Sequence, residues 1–319
     1  MLQARDRWRE LLARFGLLLA LVVMVVVLAT ISDRFLTTSN IINVLRQISV
    51  NAIIAFGMTV VIIGAGIDLS VGSLLALVGV IAAILVTTTG IPVWLVLVLA
   101  VAIGTALGAI NGAFVGFAGV APFIVTLAGL TIFRGATLVA TDGRPVSGLP
   151  PVFTTIGYGT FLGVPLPIWI MLGVLLLTYV LLRHTALGRA VYAVGGNPEA
   201  ARLSGIPVRK VLTFTYAFSG FAVAIAAIVL TGRLNSAQPT AGVAFELDAI
   251  AAVVVGGTSL AGGKGGVLNT VVGVLIMTVL SNGLVLMSVN PYIRTGIEGV
   301  IILVAVALPI QRSRQAISK

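Results

Sequence analysis

The sequence predicts an all-α, polytopic membrane protein, and three observations carry that prediction. Of the 319 residues, 59% are apolar and only 9% charged, against about 25% charged in a soluble domain; mean hydropathy is +1.19. Apolar runs of membrane-crossing length, about 20 helical residues for a hydrocarbon core of roughly 30 Å, fill most of the chain between short polar or Gly/Pro-rich breaks. The period-two alternation of strands is missing, so helices and not a barrel must satisfy the backbone in lipid. About ten spans result, near 15–31, 41–64, 70–89, 92–118, 121–140, 167–183, 209–230, 246–257, 266–289 and 293–310, together making one transmembrane domain over 1–319.

In the first element, Arg5, Arg7, Arg9 and Arg14 precede the apolar run from Phe15 to Ile31. That run exceeds a signal peptide's apolar region of about 7–15 residues, and no clear A-x-A site follows, so it reads as an uncleaved span. With the N-terminus inside, cytoplasmic segments also receive Arg183, Arg189, Arg202, Arg209, Lys210, Lys264, Arg312, Arg314 and Lys319. Only Arg34, Arg46, Arg134, Arg144, Arg233 and Arg294 fall on or near the other side. This positive-inside bias places both termini and the 184–208 loop in the cytoplasm. It accounts for the net charge of +10 without a nucleic-acid partner.

Between the second and third spans stands G-I-D-L-S, residues 66–70. A carboxylate at the bilayer centre costs about 2.5–3.5 kcal/mol, so an intramembrane acid such as Asp68 is a functional candidate. The same stretch is also a break-and-cap signal, with Asp68 or Ser70 opening the third span. Glu246 and Asp248 open the eighth span as first-turn acids near the outer face. A polar pathway through the bundle has Asn51, Thr59, Ser73, Thr105, Asn111, Thr270, Ser281 and Asn282 as candidate lining. Each could equally hydrogen-bond one helix to another.

The sixth and seventh spans are joined by the longest cytoplasmic loop, roughly 184–208, which is dense in helix punctuation. Asn197 is a good N-cap, Pro198 fits the first helical position and Glu199 the first turn. Gly205 suits the position after the helix, and Pro207 stops continuation. A helix of about two turns follows, Pro198 to Ser204, too short to stand alone in water. Its apolar face is Ala200, Ala201 and Leu203, with Arg202 between. That is little area for lipid anchoring and suits docking in a protein groove.

Before the ninth span, GGTSLAGGKGG (256–266) invites a phosphate-loop reading. The G-x-x-x-x-G-K-[ST] spacing fails, because Thr258 stands where the first Gly is needed and Gly265 follows Lys264. The segment reads as a tight break between helices. There is no Cys, and the single His, His184, sits at a span end. Neither a nucleophile–base pair nor a ligand cluster is visible, so the chain reads as a non-enzyme with no cofactor or metal.

Four segments, residues 188–208 (ending YAVGGNPEAARLSGIPV), GIDLSVGSLLAL (66–77), SAQPTAG (236–242) and ELDAIAAVVVGGTSLAGGKG (246–265), resemble the ribose-type sugar importer permeases of the ATP-binding-cassette superfamily. The resemblance implies a bacterial inner-membrane permease in which the 197–205 helix inserts into a cytoplasmic ATPase. It also implies a second permease subunit, in a homodimer, and a periplasmic sugar-binding protein. N-G followed by P-[FY]-I-x-T recurs as Asn111, Gly112, Pro122, Phe123, Ile124, Thr126 and as Asn282, Gly283, Pro291, Tyr292, Ile293, Thr295. In this topology the copies lie on opposite faces, the inverted-repeat pattern of many transporters; the resemblance relates spans 2–5 to 7–10 by inversion. An ion-coupled transporter, and permeases for branched-chain amino acids or signalling furanosyl compounds, remain alternatives.

Overall fold

A computed structural model describes residues 2–290 together with 293, 294, 296, 297, 299–301 and 303, with side chains from residue 16 onward. The repeat positions Pro291, Tyr292 and Thr295, and most of the expected tenth span 293–310, lie outside the described residues. The chain opens with α1 (Leu2–Ile31), which extends the expected first span backwards. Then come α2 (Thr38–Ile63), α3 (Val71–Thr88), α4 (Val93–Gly116) and α5 (Pro122–Thr141), each within a few residues of its expected span. Thr37 starts α2 by accepting the Asn40 N–H on its hydroxyl, and Pro122 opens α5.

The segment between α5 and the next span carries a helix, α6 (Pro151–Tyr158), and a two-stranded antiparallel hairpin, β1 (Thr160–Phe161) with β2 (Val164–Pro165). The Arg46 guanidinium donates to the Tyr158 carbonyl at 3.0 Å and stacks 4.7 Å over its ring, tying α6 to α2. After α7 (Leu166–His184), the expected polar loop holds two helices rather than one: α8 (Ala186–Gly196) and α9 (Pro198–Leu203). Burial of Gly188, Val191, Val194 and Gly195 gives α8 the one-sided stripe of a docked helix.

The remaining elements are α10 (Val208–Leu234), α11 (Phe245–Val255) and α12 (Val267–Leu286). Among the described residues, seven helices are long and apolar enough to cross a membrane: α2, α3, α4, α5, α7, α10 and α12. α10 is central. Gly104, Gly108, Gly112 and Gly116 of α4 recur at every fourth residue, and a Cβ on any of them would collide with α10. Such small-residue stripes let membrane helices approach backbone to backbone. α2, α3 and α10 carry most of the core, whereas α4, α5 and α7 expose apolar side chains such as Val98, Phe114, Ile132, Val139 and Leu176, an outer skin suited to lipid.

The expected eighth span is short in the sequence and short in the structure: α11 has 11 residues and is about 16 Å long, half of a hydrocarbon core. A non-helical leg between Leu234 and Phe245 precedes it and bridges to Val146 through Ala237. α3 likewise follows a non-helical leg, Gly64 to Ser70. Both legs hold an alanine in the left-handed region, Ala65 (φ 61°) and Ala244 (φ 69°).

Candidate functional site

The Gly64–Ser70 leg packs inside the bundle. Asp68 is 1% exposed, and its Oδ1 accepts the Ser70 N–H at 3.0 Å and the Ser70 hydroxyl at 2.6 Å. Oδ2 accepts the Ser219 hydroxyl of α10 at 2.9 Å. Ser219 lies 11 residues after Val208 and 15 before Leu234, about 16 and 22 Å along the axis, so Asp68 sits at middle depth. Asn111 of α4 donates to Ser70 Oγ at 3.0 Å. The Ile67 carbonyl accepts from Tyr216 and Thr126, each at 3.3 Å, and Ser73 donates to the Ser70 carbonyl at 2.9 Å. Irregular backbone inside a membrane protein survives only where its polar groups are satisfied in this way.

Asp68 is tied to Ser70 and Ser219, while α3 starts at Ser70 without a side-chain cap. Both carboxylate oxygens are filled by protein donors, and four helices converge on one short leg. Immediately beyond it, the Gly72 backbone lies against the Gly242 carbonyl, and a Cβ at Gly72 would come 2.6 Å from Glu246 Oε2. The first turn of α3 and the leg before α11 therefore touch in the interior.

The other candidates fall into separate groups. Asn51, Asp248 and Ser281 line one narrow cleft with Gln47, Thr278 and Met277, between α2, α11 and α12. Its cavity of ≈ 30 Å³ holds about one water and no sugar. Thr59 and Thr270 hydroxyls stand 2.8 Å apart across α2 and α12, and Asn282 exchanges two amide hydrogen bonds with Asn40 at 2.9 and 3.0 Å. These two pairs fasten helices. Thr105 is apart from all of them, donating to the Val101 carbonyl one turn back.

At the end of the bundle where α2 stops, α9 forms as its caps dictate. Asn197 Oδ1 accepts the Glu199 and Ala200 N–H groups at 3.1 and 3.0 Å, and Pro198 occupies the first turn. The helix ends at Leu203, with Ser204 as the C-cap rather than the last helical residue, and Gly205 takes φ 82°, a left-handed geometry that favours glycine. Arg202 pairs with Glu199 at 2.6 Å and lowers its carboxyl below the ordinary range; both side chains are solvent-exposed, so the pair adds little stability. Ala201 is turned inward and buried, while Leu203 is 75% exposed. Of the apolar residues expected to fill a groove together, Ala200 and Leu203 face outward and Ala201 holds α9 to its own chain.

α9 is wired to the interior through α8. A Cβ on Gly195 would strike the Ile63 carbonyl at the end of α2, an approach only glycine permits. The same carbonyl accepts the Gly263 N–H at 2.9 Å, and Tyr192 donates to the Gly265 carbonyl at 2.9 Å. The 256–266 segment is thus a glycine-built clamp between α8, α2 and α12, and the leg that carries Asp68 starts one residue beyond Ile63.

Several participants had no sequence signal of their own. Ser219 and Tyr216 are ordinary polar residues in an apolar helix, recognisable only once α10 is docked on the leg, whereas Thr126 was marked by the repeat but not as a partner of Ile67. Arg134, counted by charge with the outer-side residues, lies within α5.

A short helix, α11, and a membrane-length one, α3, each entered through a non-helical leg, meet inside a bundle of apolar helices, the architecture of a polytopic membrane protein. The chain belongs to the family described as branched-chain amino acid transport system / permease component, whose model matches residues 40–306. The ribose import permease protein RbsC of Haemophilus influenzae is 50% identical over 292 residues, 90% of each chain. Its namesake in Bacillus subtilis is 45% identical over 313 residues, covering 98% of this chain and 97% of that one. The D-allose transport system permease protein AlsC of Escherichia coli is 40% identical over 296 residues, 92% and 91% of the two chains. All are named as permeases, transport subunits and not enzymes. No solved structure matches the chain significantly.

Proposed function

We propose that this chain is the membrane-spanning permease subunit of an ATP-binding-cassette importer for a monosaccharide, ribose or a close relative, in the cytoplasmic membrane of a bacterium. The observation that carries the reading is the identity, over nearly the whole chain, to permeases named for ribose and allose. The α9 end faces the cytoplasm with both termini, as the distribution of basic residues favours, and the single domain crosses the membrane about ten times. Inverted repeats relate spans 2–5 to 7–10; the non-helical legs that precede both α3 and α11 support that symmetry. Two copies enclose the pathway, a double-domain ATPase docks on α9, and a periplasmic binding protein delivers the sugar.

In this reading residues 197–205 are the handle. Motion of the ATPase shifts α9 and α8, which move the clamp on the Ile63 carbonyl and so the Asp68 leg. Asp68, Ser70, Ser73 and Asn111 form the hinge, Asn51 and Asp248 line the pathway with Glu246 at its outer part, and Asn282 fastens α12 to α2. Coupling requires each nucleotide state of the ATPase to favour one state of the permease.

The family's description names amino acids, so the deciding experiment compares both solutes. The chain is co-purified with its ATPase and binding protein and reconstituted in vesicles. ATP-dependent uptake of ribose, allose or xylose, without uptake of leucine, is expected. Uptake that needs no ATP and collapses with an ionophore would instead establish an ion-coupled carrier.

A further inference from the structure

Five polar side chains from three helices line the narrow cleft between α2, α11 and α12: Gln47 and Asn51, Asp248, and Thr278 and Ser281. Asn51 stands 13 residues after Thr38 and 12 before Ile63 in α2, about 20 and 18 Å along the axis. Thr278 stands 11 residues after Val267 and eight before Leu286 in α12, about 16 and 12 Å. The cleft therefore lies at middle depth, where each polar group needs a partner. Among the described residues, the side chains of Gln47, Asn51, Thr278 and Ser281 make no hydrogen bond within the protein. Thr278 is 1% exposed, and its hydroxyl is buried without a partner; the other four are half-buried. Elsewhere on α2 and α12 polar residues are paired directly, Thr59 with Thr270 and Asn40 with Asn282. The cleft group is set apart by converging without pairing.

A buried hydroxyl left unmatched carries its full desolvation cost, which favours a ligand that answers it. The cavity of ≈ 30 Å³ admits one water-sized group. Asp248 offers acceptors, while the amides and hydroxyls of the other four both donate and accept. An anion would meet the Asp248 carboxylate, and a methyl group would leave the amides and hydroxyls unmatched. A neutral hydroxyl, which donates and accepts at once, satisfies the mixed set. We propose that the cleft is a binding site for one hydroxyl group, supplied by a water molecule or by the sugar in transit, with Thr278 at its floor. For the sugar the inference rests on the permease reading above, and it adds Gln47 and Thr278 to the side chains that meet the solute.

Thr278→Val removes the hydroxyl and keeps the branched shape of the side chain. With a hydroxyl bound, the substitution strands that ligand and lowers the thermal midpoint of the purified chain. With nothing bound, it relieves an unmatched polar group and raises the midpoint. A fall is expected; a rise or no change would overturn the site. Uptake by the reconstituted complex then distinguishes the two sources. The ratio of ribose uptake to uptake of each monodeoxyribose is compared between wild type and Thr278→Val, with the same binding protein so that its own preference cancels. A hydroxyl from the sugar lowers one of these ratios about fivefold in the variant, the loss of one hydrogen bond. A hydroxyl from water lowers the midpoint and leaves every ratio unchanged. A wild-type midpoint that rises with sodium and not with choline at equal ionic strength would assign the cleft to a cation and overturn the hydroxyl. A complex that moves no solute with ATP would remove the permease reading, and the midpoint of the purified chain would still decide the site.

Discussion

Asp68 is the residue on which most of the interior converges, and its chemistry makes a sharp prediction. Its two oxygens accept three hydrogen bonds from Ser70 and Ser219. Asp68→Asn keeps one oxygen toward Ser70 but replaces the other acceptor by an amide donor, so the Ser219 hydroxyl must turn from donor to acceptor and its own proton must find a new partner, at about 1 kcal/mol. A fall in the thermal midpoint of the purified variant, with weakened uptake, is expected; an unchanged midpoint would show that the network does not hold the leg. Gly195 gives a second prediction. Gly195→Ala drives a methyl into the Ile63 carbonyl, and such overpacking costs about 1–3 kcal/mol, read as a lower midpoint beside a control substitution at Gly196, whose Cβ meets nothing within 4 Å. Asp68, Ser70 and Asn111 were legible in the sequence because polar groups in so apolar a chain are conspicuous. Ser219 was not, since a lone serine in a span carries no pattern that says which helix it faces. Arg134 was visible as a charge, but counting charges assigns sides of a membrane and not depth within a helix.

At the scale of elements, sequence reading succeeded where a chemical signal ends a helix and failed where none does. α9 is bounded by Asn197, Pro198 and Gly205, each with a stereochemical reason for its place, and its ends were legible to one residue. α8 went unread because its apolar stripe is short and broken by glycine. α6 went unread because eight residues, opening on Pro151 behind Pro150, carry too little periodicity. The short α11 was legible as a short span, 246–257, because the glycines at 256 and 257 end its apolar run. The legs before α3 and α11 carry a prediction of their own. Ala65 and Ala244 adopt positive φ, a conformation costing an L-residue about 1–2 kcal/mol. Ala244→Gly should remove that strain and raise the thermal midpoint, whereas Ala244→Val should lower it. A midpoint that falls with glycine would mean that the leg is not strained in this way.

For the whole molecule, an all-α bundle with an apolar skin was evident from composition, whereas the interior contact of α3 with the leg before α11 is a tertiary fact that no local pattern encodes. The topology makes its own prediction: because the chain has no cysteine, a single Cys at Ala200 should react with an impermeant reagent only from the cytoplasmic side of sealed vesicles. Labelling from outside would reverse the orientation and detach α9 from any ATPase. If α9 is the handle by which a partner's ATP hydrolysis moves this permease, Leu203, exposed and uninvolved in its own core, is where to challenge it. Leu203→Glu should insert and fold as the wild type does. The decisive measurement is sugar uptake and ATP hydrolysis followed together in vesicles holding the complete complex with this substitution. Background uptake is expected, with hydrolysis no longer stimulated by the sugar-loaded binding protein. Normal uptake at the wild-type ratio of sugar to ATP would mean that α9 is no handle.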